Sequence, residues 1–74
     1  MLYQFTLAFL IAPAGQEDLV ALVQAKVPDV SVTLARRGRM EVQFARNSDS
    51  AYQVLKRAIA DIHAAAPTAE CILY

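Results

Sequence analysis

The amino-acid sequence predicts one α+β domain, in which a four-stranded antiparallel sheet carries two helices on one face. Segments in which apolar and polar residues alternate, as in strands, flank two segments with the apolar spacing of helices. The chain has 74 residues, which is enough for one domain. Because 57% of the residues are hydrophobic and only 19% are charged, the composition favours a packed core over intrinsic disorder.

The first strand is predicted over residues 2–11, because large apolar residues occupy every second position there. Pro13 and Gly15 break this pattern. A helix is predicted over residues 16–27, with acidic residues in its first turn and Pro28 directly after it. The apolar face expected for this helix consists of Leu19, Leu22, Val23 and Val27.

A β-hairpin is predicted from two further alternating segments, residues 30–36 and 39–45. Arg37 and Gly38 form the expected turn between them. Glycine fits this position because it readily takes the positive φ that two-residue turns require.

The longer helix is predicted over residues 49–66, with Asn47 or Ser48 as its N-cap and Pro67 beyond its end. A last short strand is expected over residues 69–74. The apolar stripe expected on the longer helix consists of Ala51, Leu55, Ala58, Ile59, Ile62 and Ala66.

The resulting order, βαββαβ, is that of the ferredoxin-like fold. Right-handed crossover connections place both helices on the same face of the sheet. The first and third strands are then central, and the second and fourth lie at the edges. We therefore expect a single ferredoxin-like domain over residues 1–74, with one face of its sheet open.

The expected open face argues against RNA recognition. RNA-binding sheets of this topology present aromatic side chains on which bases stack. The central residues expected here are polar or small, namely Gln4, Thr6, Ala8, Glu41, Gln43 and Ala45. Since the formal net charge is also zero, we expect no direct nucleic-acid binding by this chain.

The sequence offers few groups for catalysis or metal binding. His63 is the only histidine and Cys71 the only cysteine, so that neither a Cys-rich zinc site nor an internal disulfide can form. We expect no metal, no cofactor and no catalytic residue. No basic signal segment and no apolar segment of membrane-spanning length stands out, which predicts a soluble, cytoplasmic protein without membrane contact.

Two alternative functions stay open. Small-molecule sensing modules of the ACT type share this fold and bind amino acids at interfaces between domains, with glycine in the first loop. Ala14 and Gly15 are compatible with such a site, which would lie near residues 13–16. The other alternative is an orphan enzyme, for which His63 would be the residue to examine.

Charge is unevenly distributed along the chain. Residues 36–57 hold six basic and two acidic residues and so carry +4, whereas the rest of the chain carries −4. The densest basic group, Arg36, Arg37 and Arg39, surrounds the predicted hairpin turn. Such a tip can keep an edge strand from aggregating, or it can contact an anion or a partner.

Apolar residues are also expected on the face away from the helices, namely Leu2, Leu10, Ile72 and Tyr74. Exposed apolar residues that form a patch mark interaction surfaces. The leading hypothesis is a non-enzymatic interaction or dimerisation domain that self-associates or binds a partner protein, through its open sheet face or an edge strand. Leu10, Ile72 and Tyr74 would make the apolar contacts, and the hairpin arginines would form an electrostatic rim.

A set of short motifs carries a resemblance to a known group of proteins. These motifs are Gly38-Arg39-Met40, the alternating Val42 and Phe44, Ser50-Ala51, Asp61, and Ala66-Pro67 with Ala69. In this arrangement they resemble small bacterial DNA-binding proteins, in which a βαββαβ N-terminal domain precedes a compact helix-turn-helix. The helix-turn-helix itself is not among these 74 residues. The resemblance implies an accessory role beside a DNA-binding regulator, such as dimerisation or sensing, and assigns no functional residue.

Overall fold

A computed structural model describes residues 1–73 and confirms the predicted order βαββαβ. The elements are β1 Leu2–Leu10, α1 Gln16–Lys26, β2 Ser31–Arg36, β3 Arg39–Asn47, α2 Ala51–Ala65 and β4 Glu70–Leu73. The strands form one antiparallel sheet in the order β2-β3-β1-β4, so that β1 and β3 are central, as predicted. Tyr74, the end of the predicted last strand and a predicted apolar contact, lies outside the described residues.

The core lies between the two helices and one face of the sheet. The largest fully buried side chains are Leu7, Phe9, Val23, Met40, Val42 and Ile62. Burial of each such side chain contributes about 1.5–3 kcal/mol relative to its exposure to water. Residues at alternate positions of β1 and β3 therefore point to the other, open face. Neither helix among residues 1–73 is long and apolar enough to cross a lipid bilayer.

The predicted apolar face of α1 is wrong at one position. Leu22 is 42% exposed, whereas Val23 is fully buried and Val20 packs against the core. With 3.6 residues per turn, adjacent residues lie about 100° apart, so a stripe that buries Val23 and Val27 leaves Leu22 on the flank. The helix begins after Gly15, whose φ of 74° ends the preceding loop in the left-handed region.

The start of α2 differs from its prediction. Its N-cap is Ser50, whose Oγ accepts a hydrogen bond from the Gln53 amide at 3.3 Å, and not Asn47 or Ser48. The reason is that β3 continues to Asn47, beyond the predicted end at residue 45, and the helix begins correspondingly later. Val54 is buried, whereas Ala51 is exposed, so that the apolar stripe also begins later than predicted.

Candidate functional site

Three of the predicted interaction residues lie in one row across the sheet. Arg36 on β2 pairs with Arg39 on β3, and Arg39 pairs with Leu10 on β1. Leu10 also pairs with Glu70 on β4, so the row crosses all four strands. Because paired residues share a face and Phe9 is buried on the helix side, the row lies on the open face.

The apolar centre of this region consists of Leu10 and Ile72. Leu10 is 45% exposed and Ile72 is 37% exposed. Ile72 is the extra residue where the register between β1 and β4 shifts, since Phe9 pairs with Cys71 and Ala8 with Leu73. Its exposed side chain lies two residues from Glu70, the β4 partner of Leu10. We call Arg36, Arg37, Arg39, Leu10 and Ile72 the hairpin-end patch.

Leu2 does not belong to the hairpin-end patch. It is exposed on the same face, but it pairs with Asn47 at the opposite end of β1. With a rise of about 3.3 Å per strand residue, Leu2 lies about 26 Å from Leu10. The open face therefore has two separate apolar positions along β1.

The arginines of the hairpin-end patch differ in what they contact. Arg39 is half-buried and its Nε lies 3.6 Å from Oε2 of Glu41. Arg36 and Arg37 are exposed, and neither forms an ion pair with another residue within 1–73. The hairpin tip therefore presents two positive charges to solvent beside an exposed apolar pair.

The tip is held in place by the loop that follows β1. The Ile11 amide donates to the Gly38 carbonyl at 3.0 Å, and the Gly38 amide donates to Oε1 of Gln16 at 2.9 Å. Gly38 has a φ of 79°, and a Cβ at this position would lie 3.4 Å from the Ile11 carbonyl oxygen. The positive φ therefore favours glycine at this turn, and the loop lies within van der Waals contact of the position a Cβ would take.

The same contacts bear on the ligand-sensing alternative. The loop around residues 13–16 lies against the hairpin tip, and the side-chain oxygen of Gln16 is already bonded to Gly38. Glu17 and Asp18 follow in the first turn of α1. Their negative charge disfavours an anionic ligand at this helix start.

Arg46 forms a charge cluster away from the hairpin-end patch, and this cluster was not predicted from the sequence. Its Nε and Nη2 donate to the two carboxylate oxygens of Asp29 at 2.9 and 3.3 Å, and its Nη1 donates to Oδ2 of Asp61 at 2.8 Å. The guanidinium carbon also lies 5.0 Å from the ring centroid of Phe44. Arg46 thus joins β3 to α2 and to the turn before β2.

The electrostatics of Arg46 are those of a paired, mostly buried charge. Burial alone would lower its pKa, but the hydrogen bonds and negative charges of Asp29 and Asp61 outweigh it, and the pKa is raised. The alternation of residues along β3 could have predicted this cluster. The alternation that turns Phe44 inward also turns Arg46 toward the helix side, where a charge needs carboxylate partners.

His63 and Cys71 are not brought together into a reactive pair. His63 Nε2 lies 3.0 Å from the Ala69 carbonyl oxygen, and its ring meets the Phe9 ring edge to face at 6.4 Å. Cys71 is half-buried, and burial raises the pKa of its thiol, so that less of the nucleophilic thiolate is present at neutral pH.

The free edge of β2 is partly covered by α1. The side-chain amide of Gln24 donates to the Val30 carbonyl, and its Oε1 accepts from the Val32 amide at 3.2 Å. Gln24 thus takes the hydrogen-bonding position that a residue of a neighbouring strand would occupy. An added strand would have to displace it at this edge.

Compared with models of protein families, with curated proteins and with solved structures, the chain gives no match. The resemblance to the N-terminal domains of small bacterial DNA-binding proteins therefore stays a prediction.

Proposed function

We propose that this domain is a non-enzymatic interaction module that binds a partner protein through the hairpin-end patch. The observation that carries the proposal is the position of exposed Leu10 and Ile72 beside Arg36 and Arg37. Protein interfaces typically combine an apolar centre with a polar rim, and arginine is enriched in them.

The chemistry of the patch defines the partner. Leu10 and Ile72 provide an apolar contact surface, and the two exposed arginines provide hydrogen-bond donors for carboxylates. The partner surface would therefore place an apolar side chain between acidic residues. Charges at such a rim mainly accelerate association and select the partner, whereas the apolar contact slows dissociation.

The proposed role is accessory. The resemblance described above favours a domain that brings a partner to a bacterial DNA-binding regulator and does not itself read DNA. The ligand-sensing alternative has less support, because the side chain of Gln16 is engaged and Glu17 and Asp18 stand at the start of α1.

Site-specific photo-crosslinking in the cells of origin tests this proposal. A photoreactive phenylalanine analogue replaces Leu10 in one variant and Ala25, which is exposed on α1, in the control. We expect position 10 to label one acidic protein that position 25 does not label. With that protein purified, charge reversal by Arg36→Glu and Arg37→Glu should weaken binding about tenfold or more.

Two results would overturn the proposal. One is equal labelling from positions 10 and 25. The other is unchanged affinity of the charge-reversed variant for the labelled protein, since the arginines would then play no part in recognition. Circular dichroism of each variant verifies that the fold is retained.

A further inference from the structure

The β4 side of β1 carries a stretch of unpaired strand edge. Within residues 1–73, β4 pairs only with Ala8, Phe9 and Leu10 of β1. The backbone groups on this side of residues 2–7 therefore have no strand partner in that part of the chain. Unpaired edge groups of this kind are a template for another strand.

An apolar groove runs beside this unpaired edge. It lies between β1 and the first turns of α2 and is lined by Tyr3, Gln4, Phe5, Ala51, Val54 and Leu55. Phe5 stacks on Phe44 with ring centroids 5.0 Å apart, which fixes one wall of the groove. Exposed apolar side chains gather at the same end of the molecule, where β1 and α2 begin; they are Met1, Leu2 and Tyr52.

The two edges of the sheet differ in the side chains that protect them from pairing with another strand. Gln24 covers the β2 edge at Val30 and Val32. Arg36 places a charge at the end of β2. The segment 2–11 contains no charged residue at all. Natural edge strands usually carry charges, prolines or bulges that prevent pairing with another chain. Residues 2–7 have none of these devices, as expected for an edge that is paired in the working protein.

We infer that a second copy of this chain occupies this edge, with the two β1 strands antiparallel about a two-fold axis at Gln4. An axis perpendicular to the sheet pairs Gln4 with Gln4 of the second copy, and Tyr3 with Phe5 of the second copy. Both sets of helices then lie on the same side, and the two grooves meet. No like charges face each other along the paired strands. Residues 2–6 of one copy pair with residues 6–2 of the other over their whole length. This self-complementarity favours a second copy over an unrelated peptide.

This inference goes beyond the association role proposed above, because it uses a different surface. The hairpin-end patch lies at the other end of β1 and stays exposed in the proposed dimer. The two ideas can therefore fail separately. Charge reversal at Arg36 and Arg37 should leave the dimer unchanged, whereas a change at Gln4 should break the dimer and spare partner binding.

Disulfide trapping tests the position of the axis. In a Cys71→Ala background, Gln4→Cys places two thiols across the axis, where paired strand residues lie about 4.5–5.5 Å apart, within the range of about 4.4–6.8 Å that a disulfide spans. Gln43→Cys is the matched control, because Gln43 is an exposed glutamine on the open face of β3. We expect mild oxidation to convert the Gln4→Cys chain to a covalent dimer and to leave the Gln43→Cys chain monomeric.

Sedimentation equilibrium of the unmodified chain supplies the second measurement. We expect a monomer–dimer equilibrium whose dissociation constant rises about tenfold in Gln4→Lys, since like charges would stand directly opposite each other, and stays unchanged in Gln43→Lys. A monomer at every accessible concentration would overturn the inference. So would equal cross-linking of the two cysteine variants, or loss of the dimer on charge reversal at the hairpin-end patch.

Discussion

At the scale of single residues, Arg46 shows how one charge can organise a small domain. Its side chain is 14% exposed, yet it satisfies two carboxylates and lies over an aromatic ring. Asp29 and Asp61 come from segments that are distant in sequence, so this cluster fixes α2 relative to the turn before β2. Removing one partner of such a cluster costs more than the pair contributes, because the remaining charges lose their compensation.

Replacing Arg46 should therefore destabilise the domain. We expect Arg46→Ala to lower the free energy of unfolding by about 1–2 kcal/mol in urea denaturation, a value reduced by the partial exposure of both aspartates. Arg57→Ala, on the exposed side of α2, is the matched control and should change it by less than about 0.5 kcal/mol. Equal losses in the two variants would contradict the role assigned to Arg46.

At the scale of secondary-structure elements, the hairpin followed directly from its sequence, whereas the start of α2 did not. Alternation and a glycine turn are local signals, and the turn at Gly38, the end of β2 and the start of β3 lie where these signals predict them. The N-cap depends on where β3 ends, and β3 is prolonged to Asn47 by pairing with the first residues of β1. That pairing is a non-local interaction, which a local reading of Asn47 and Ser48 does not contain.

The cap itself can be tested by mutation. Loss of the Ser50 hydroxyl removes an acceptor for a free amide in the first turn of α2, and we expect Ser50→Ala to lower the free energy of unfolding by about 1 kcal/mol. Ser31→Ala, at an exposed position of β2, should have an effect below about 0.5 kcal/mol. Thermal denaturation of both variants measures the difference. An equal shift in melting temperature would show that the hydroxyl does not act as a cap.

The candidate site was predictable only in part, because its assembly depends on non-local strand pairing. The arginines of the tip and the exposure of Leu10 follow from composition and alternation. Their placement in one row depends on the register between β1, β3 and β4, which is set by pairing across the whole chain. The predicted last strand, residues 69–74, is shorter than the predicted first strand, residues 2–11, but only the register shows which part of β1 lacks a strand partner among residues 1–73.

At the scale of the whole molecule, the positive segment of the sequence does not become one basic surface. Arg46 is neutralised by its aspartates, and Arg39 lies near Glu41. Arg36 and Arg37 lie at the hairpin end. Lys56 lies in the first half of α2, where its Nζ is 5.9 Å from the ring centroid of Tyr52. Folding thus distributes the basic residues over separate regions of the surface.

The protection of the β2 edge gives a prediction for the behaviour of the whole protein. Gln24→Ala removes both hydrogen bonds that cover Val30 and Val32, and we expect faster aggregation at high concentration, measured by light scattering. Gln53→Ala changes an exposed glutamine of α2 and serves as the control. Aggregation rates that are equal in the two variants would mean that the Gln24 side chain does not protect this edge.

The uninterrupted register between β1 and β3 also has a consequence for the order of folding. The loop that must close is shortest at Leu10 and Arg39 and longest at Leu2 and Asn47. Because loop-closure entropy grows with loop length, β1 should zip onto an already formed hairpin from its C-terminal end toward its N-terminus. The edge at residues 2–7 is then completed after the row that joins Leu10 to Arg39. A folding chain therefore forms the β1 and hairpin part of the hairpin-end patch before it forms the edge inferred to bind a second copy.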